Sequence, residues 1–214
     1  MIITDIQRQK NNEKRFSVYI DGKFSFGVSD IDLLYYKLKT GDELSESKYN
    51  EIINNNTYIK ARDTALRFLG YRMRSRREID DRLKRGEFPE DIRERVIAFL
   101  EEYGYIDDSA FAKAYIDEKR RLKGYGGIRL KQELYQKGIS REIIDELSDE
   151  LSEDNIETIK KAIDKKLKGN TVSDRKELQR LYGYLMRKGF SYEQSKEALE
   201  EYTKETEDEW GEWQ

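Results

Sequence analysis

From residue 57 onward, apolar positions recur at i, i+3 and i+4 in short runs set apart by glycines and capping residues. That is the pattern of amphipathic helices. The sharpest run covers residues 75–86. Ser75 and Glu78 form an S-x-x-E capping box, and Ile79 and Leu83 give one apolar stripe. Gly86 is expected to take the left-handed conformation that ends the helix, and Pro89 opens the next one, where a missing N–H costs nothing. The run then repeats. Leu83, Leu134 and Leu185 lie 51 residues apart. The sets Phe88/Ile139/Phe190, Ile79/Leu130/Leu181 and Ala65/Ile116/Leu167 keep the same step. One column departs: Glu87 stands where the later copies have Gly138 and Gly189. Four apolar columns in ungapped register predict a triplicated helical unit.

The expected fold is therefore mainly α, with three tandem three-helix repeats of about 51 residues each in an elongated, curved array. Repeat 1 covers 57–106, with Ala61, Ala65, Phe68 and Leu69 on the inner face of its first helix. Repeat 2 covers 107–152; Asp107 or Asp108 caps its first helix, residues 124–127 break to the helix of Leu130 and Leu134, and Ser140 caps the third. Repeat 3 covers 153–204 and ends on a Ser191/Gln194 capping box. Residues 1–56 read differently. Residues 1–6, 16–20 and 24–28 are β-like, with Asp21-Gly22 as a type I′ turn between the last two. Short helices follow, one capped by Ser29 or Asp30 and one by Ser45, the second ending at Asn54-Asn55-Asn56. This makes a small hairpin-containing cap. The acidic tail, 205–214, with Trp210 and Trp213, is expected to be disordered.

Composition narrows the chemistry. Hydrophobic residues make up 36% and charged residues 40%, which suits small units sharing cores better than one large core. With no cysteine or histidine, thiolate chemistry and the commonest general base and metal ligand are absent. Paired acids such as Asp80/Asp81 and Asp107/Asp108 read as caps and surface positions, so no metal, cofactor or catalytic site is expected. No apolar run suits a membrane span or signal peptide, and the expected compartment is the cytoplasm.

Net charge is only −3, so any polyanion affinity must come from oriented patches. Arg72, Arg74, Arg76, Arg77, Lys84 and Arg85 lie in the densest basic cluster, and Lys123, Arg129, Lys131 and Lys137 lie in a second stretch that also holds Lys119, Arg120 and Arg121. Stacked repeats would align the two as a stripe suited to an extended polyanion or filament. Lys165 and Lys166, in the less basic third repeat, are expected to contribute less. The first cluster also fits a solvated helix face with i,i+4 pairs. Gly124-Tyr125-Gly126-Gly127 lacks the Lys-Ser/Thr of a nucleotide loop and follows a helix, so it reads as a helix break. Tyr71, Tyr103, Tyr105, Tyr115, Tyr125 and Tyr135 cluster in the first two repeats, as amphipathic packing or as an interface beside arginines.

Several segments together resemble the RecX family: residues 65–69, 72–78, the Gly-Tyr-Ile-Asp-Asp-x-x-Phe-Ala stretch at 104–112, and 127–139 with its Glu-Leu-x-x-Lys-Gly-Ile. The hairpin cap and third repeat are similar to the longer members. The resemblance implies tandem three-helix repeats, and a regulator that binds the RecA–single-stranded-DNA filament. It also implies inhibition or modulation of ATP hydrolysis, strand exchange and coprotease function in recombination, repair and the SOS response. It implies a monomer whose binding to bare single- or double-stranded DNA is weaker and non-specific. The basic residues named above are the expected contacts. The competing reading is a general helical DNA-binding module with no dedicated recombinase partner.

Overall fold

A computed structural model describes residues 1–10, 12–152, 156–168 and 175–211, with backbone alone at 12 and 204–211. The chain forms two compact units. One is Met1–Arg72 with Ile79–Tyr103, and the other is Met73–Glu78 with Gly104–Gln214.

The first unit begins with an antiparallel sheet in the order β1 (Ile3–Gln9), β2 (Asn12–Ile20), β3 (Lys23–Ser29). Asp21 and Gly22 both take positive φ, 47° and 81°, as a type I′ turn requires. Alternation buries Val18, Phe26 and Val28 against Ile3, Leu38, Leu44 and Ile52. Ser29 opens α1 (Asp30–Tyr35) with a reciprocal capping box to Asp32, and Ser45 caps α2 (Glu46–Leu69). The expected stop at Asn54-Asn55-Asn56 does not occur: α2 runs straight through it, across the expected boundary at 56/57. Asparagine costs a helix interior only a few tenths of a kcal/mol, roughly, and burial of Ile52, Ala61 and Ala65 along one helix offsets that. Next in the chain come α3 (Arg76–Arg85) and α4 (Glu90–Glu102), capped at Pro89. Within this unit Ile79, Leu83, Ile92, Val96 and Leu100 are fully or almost fully buried. Arg93 Nε donates to Asp80 Oδ1 at 2.7 Å.

The second unit contains α5 (Asp108–Lys123), α6 (Gly127–Gln136), α7 (Arg141–Glu146), α8 (Ser148–Ser152), α9 (Ile156–Leu167), α10 (Arg175–Lys188) and α11 (Tyr192–Gly211). The caps at Asp107, Ser140 and Ser191 form as the sequence predicts; Ser191 and Gln194 close a full box at 2.9 and 3.1 Å. One core gathers Phe111, Ile116, Leu130, Leu134, Ile139 and Ile144, and another gathers Ile159, Ile163, Leu181, Leu185, Phe190 and Leu199. The short α8 is an addition the sequence did not announce. α11 continues through residues 205–211, expected as a disordered tail, because nothing between Tyr192 and Gly211 breaks a helix. Residues 212–214, with Trp213, lie outside the described residues.

The columns that repeat in sequence repeat in geometry. Leu83, Leu134 and Leu185 are buried to the last percent. Each accepts, on its carbonyl, the N–H five residues on: Phe88, Ile139 and Phe190, at 3.3, 3.1 and 3.2 Å. The inner bonds of the same Schellman turn are Glu87 to Lys84, Gly138 to Tyr135 and Gly189 to Met186. The left-handed residue of the first copy is thus Glu87, φ 58°, and not Gly86 as expected. The backbone keeps the 51-residue register that the residue type abandons.

Candidate functional site

The second unit is knit together by helix ends. Ser75 Oγ accepts from Glu78 N at 3.2 Å and donates to the carbonyl of Lys137, at the C-terminus of α6, at 2.7 Å. The Glu78 carboxylate holds Lys137 Nζ at 2.6 Å. One repeat on, Gly126 N donates to the Lys188 carbonyl at 2.8 Å and Ile128 N to that of Gly189 at 3.1 Å. Each helix N-terminus gives unpaired N–H or hydroxyl groups to a helix C-terminus with unpaired carbonyls. Two glycines permit this approach. A Cβ on Gly126 would lie 2.5 Å from the Gly189 carbonyl, and one on Gly138 would lie 2.5 Å from Arg77 Cβ.

These contacts decide what several of the expected site residues do. Lys137 is tied to Glu78. Arg129 bonds Glu133 at 3.2 Å and the Arg187 carbonyl at 3.0 Å, and its guanidinium lies 3.9 Å over the Tyr125 ring. Lys131 reaches Asp145 at 3.8 Å, an exposed pair of little energetic weight. The stem of Arg77 covers Gly138 while the residue stays exposed. Arg74 and Arg76 are half-buried, and the Arg76 backbone N–H is held by Asp108 at 2.8 Å. Arg72, Lys84 and Arg85 are exposed on the first unit. Lys123 is exposed and belongs to something larger.

That feature is a cavity of about 410 Å³ among α5, α9 and α10. Among the described residues that line it, six are cationic and none is acidic: Arg120, Arg121, Lys123, Lys161, Lys165 and Lys188. Lys188 sits deepest in charge terms. Its ammonium lies 5.4 Å from the Tyr125 and Tyr184 rings and donates to the Lys123 carbonyl. Burial pushes its pKa down from 10.5, and the neighbouring charges of Lys165, Arg129 and Lys123 push the same way. Lys165, expected to be peripheral, is part of this groove, and so is Lys161. Linear clustering missed them because the groove is assembled from three helices far apart in the chain. The signal available was the run of lysines in the last turn of α9, at the same end as the basic last turns of α5 and α10. Of the tyrosines, Tyr71, Tyr103, Tyr105 and Tyr135 are exposed, whereas Tyr115 is half-buried and donates to Glu133 at 2.7 Å. Among the described residues no group of three acidic side chains is placed to hold a metal, and no helix is long and apolar enough to cross a membrane.

A small N-terminal sheet, three-helix units following one another along the chain and a cationic groove in the second unit define a helical-repeat protein. Residues 1–45 match the regulatory protein RecX N-terminal domain, 61–100 the first RecX three-helix domain, 107–147 the second and 152–199 the third. The regulatory protein RecX of Bacillus velezensis is 38% identical over 97% of this chain and 80% of its own length. That of Clostridioides difficile is 34% identical over 92% and 94%. A crystal structure of a regulatory protein RecX superposes with a TM-score of 0.69 at 30% identity, covering 93% of this chain and 98% of that one. A second, from Lactobacillus salivarius, gives 0.59 at 25% identity over 69% and 97%. The chain belongs to the RecX family of regulatory proteins.

Proposed function

We propose that this chain binds the RecA filament on single-stranded DNA and restrains its ATP hydrolysis, strand exchange and coprotease function. It acts as a cytoplasmic monomer in recombination and repair. The observation that carries the reading is the match, in order and nearly end to end, to the N-terminal domain and all three three-helix domains of a family of regulators. The local chemistry is compatible with it. A partner is engaged by charge and shape, and the exposed cations of the second unit meet an anionic surface without any covalent step. Arg77, Lys84, Arg85 and Lys123 are the expected site residues best disposed to reach a partner, since all four are exposed and none is held in an ion pair among the described residues. Arg129 and Lys137 act mainly inside the protein, holding helix ends together.

The test is ATP hydrolysis by RecA on polydeoxythymidylate, titrated with this protein. The rate is expected to fall as the protein is added, reaching its floor at or below one copy per recombinase subunit. Unchanged hydrolysis at equimolar protein removes the proposal. Loss of hydrolysis that is fully restored by adding more bare DNA would favour the alternative, a DNA-binding module that merely competes for the strand.

A further inference from the structure

We infer that the groove of Arg120, Arg121, Lys123, Lys161, Lys165 and Lys188 is a binding site for consecutive phosphates of a single nucleic-acid strand. The inference rests on the filament reading for the strand it names, but its test needs no recombinase.

The groove carries an excess of positive charge. Basic residues in the last turn of a helix usually need no ligand, because they complement the dipole at its C-terminus. Three C-termini supply only about −1.5 elementary charges, well under half of the four that Arg121, Lys123, Lys161 and Lys165 carry by themselves. Among the described residues that line the groove no carboxylate meets the remainder. Arg121, Lys123, Lys161 and Lys165 form no ion pair among the described residues, and all four are exposed. Elsewhere on the same unit cations find acids readily: Lys137 with Glu78, Arg129 with Glu133, Lys160 with Glu201 at 3.1 Å. The groove is therefore a local exception in a chain that has more acids than bases, 44 against 41.

The cations come from α5, α9 and α10, whose packing is fixed by buried residues such as Ile116, Ile159 and Leu185. Holding like charges together costs free energy; burial first, and then the charges of Lys165, Arg129 and Lys123, push the Lys188 pKa down. A bound polyanion relieves that cost.

Aromatic surface beside the cations favours a nucleic acid over an acidic protein. Two half-buried tyrosine rings, Tyr125 and Tyr184, stand at the groove, and Tyr184 lines it. They already carry cations: Arg129 and Lys188 over Tyr125, Lys166 and Lys188 over Tyr184. Alternating cation and aromatic surface suits phosphates with flexible bases between them. A carboxylate-bearing peptide would use the cations alone and gain no stacking contact from the rings.

Fluorescence anisotropy with a labelled fifteen-nucleotide oligothymidylate tests this on the full chain. The parent should bind, with an affinity that falls steeply with salt. Lys161→Glu/Lys165→Glu should bind at least tenfold more weakly. Loss of two phosphate contacts should flatten the plot of log affinity against log salt by about 1.4. Both residues are exposed, so the variant should melt with the parent; should it not, the neutral pair Lys161→Gln/Lys165→Gln carries the same test with smaller effect. Parent-like affinity and slope in both variants overturns the inference. So does displacement of the strand by polyglutamate at equal charge concentration, which would assign the groove to acidic protein. Recombinase inhibition lost while strand binding stays intact also overturns it, and leaves the filament reading standing.

Discussion

Glu87 holds a left-handed backbone position that glycine fills in both later copies, at Gly138 and Gly189. An L side chain there costs about 1–2 kcal/mol, of which glycine's extra unfolded-state freedom takes back a part. Glu87 is exposed, so nothing else depends on its side chain. Glu87→Gly should therefore raise stability by about 0.5–1 kcal/mol, read as a higher urea midpoint with an unchanged slope. The paired variant moves the other way. Gly138→Ala would add both the left-handed cost and a contact with Arg77 Cβ, and should lose roughly 2–4 kcal/mol. If Glu87→Gly is neutral or destabilising, the left-handed strain assigned to that turn is absent. The same position shows what could be read in advance. The sequence placed the turn but put the conformation on Gly86, since residue type was the only guide. The carbonyl of Leu83, which captures the N–H of Phe88, is what decides it.

Among elements, α5 and α6 show how a polar group can tie a three-helix unit. Tyr115 on α5 donates to Glu133 on α6 at 2.7 Å, and Arg129 on α6 holds the other carboxylate oxygen. Burial, then the bond to Glu133, pushes the Tyr115 pKa well above 10.0. Below pH 10 the phenol is neutral in both folded and unfolded chains, and the contribution is complete. As pH rises past 10 the unfolded phenol ionises while the folded one keeps its proton, so stability is lost. Tyr115→Phe should cost about 1–2 kcal/mol at pH 7, and the gap to the parent should narrow in melts above pH 10. A gap that stays constant across that range would mean Tyr115 titrates alike in both states. Helix positions at this scale were legible wherever periodicity and caps agreed, as at Asp107, Ser140 and Ser191. They were not where a composition cue stood alone. Asn54-Asn55-Asn56 looked like a break, but local propensity is small beside the apolar burial that runs the length of α2. Helix-end docking, with Gly126 and Gly138 as spacers, was invisible for another reason: it depends on which distant carbonyl each N-terminus meets.

For the molecule as a whole, the family was readable from the order of its motifs, while the site was readable only in part. Arg129, Lys131 and Lys137 were drawn from a basic stretch, yet the fold ties them to Glu133, Asp145 and Glu78. Lys161, Lys165 and Lys188 enter the cationic groove from a part of the chain that looked less basic. A linear sequence shows charge density and hides which side chains share a face. The central claim is that the chain recognises a recombinase filament and not DNA alone, and equilibrium binding tests it most directly. Affinity for RecA filaments preassembled on oligothymidylate with a non-hydrolysable ATP analogue is compared, near physiological salt, with affinity for the same bare strand. Binding to the filament should be at least tenfold tighter than to the strand; equal or weaker binding would overturn recognition of the filament.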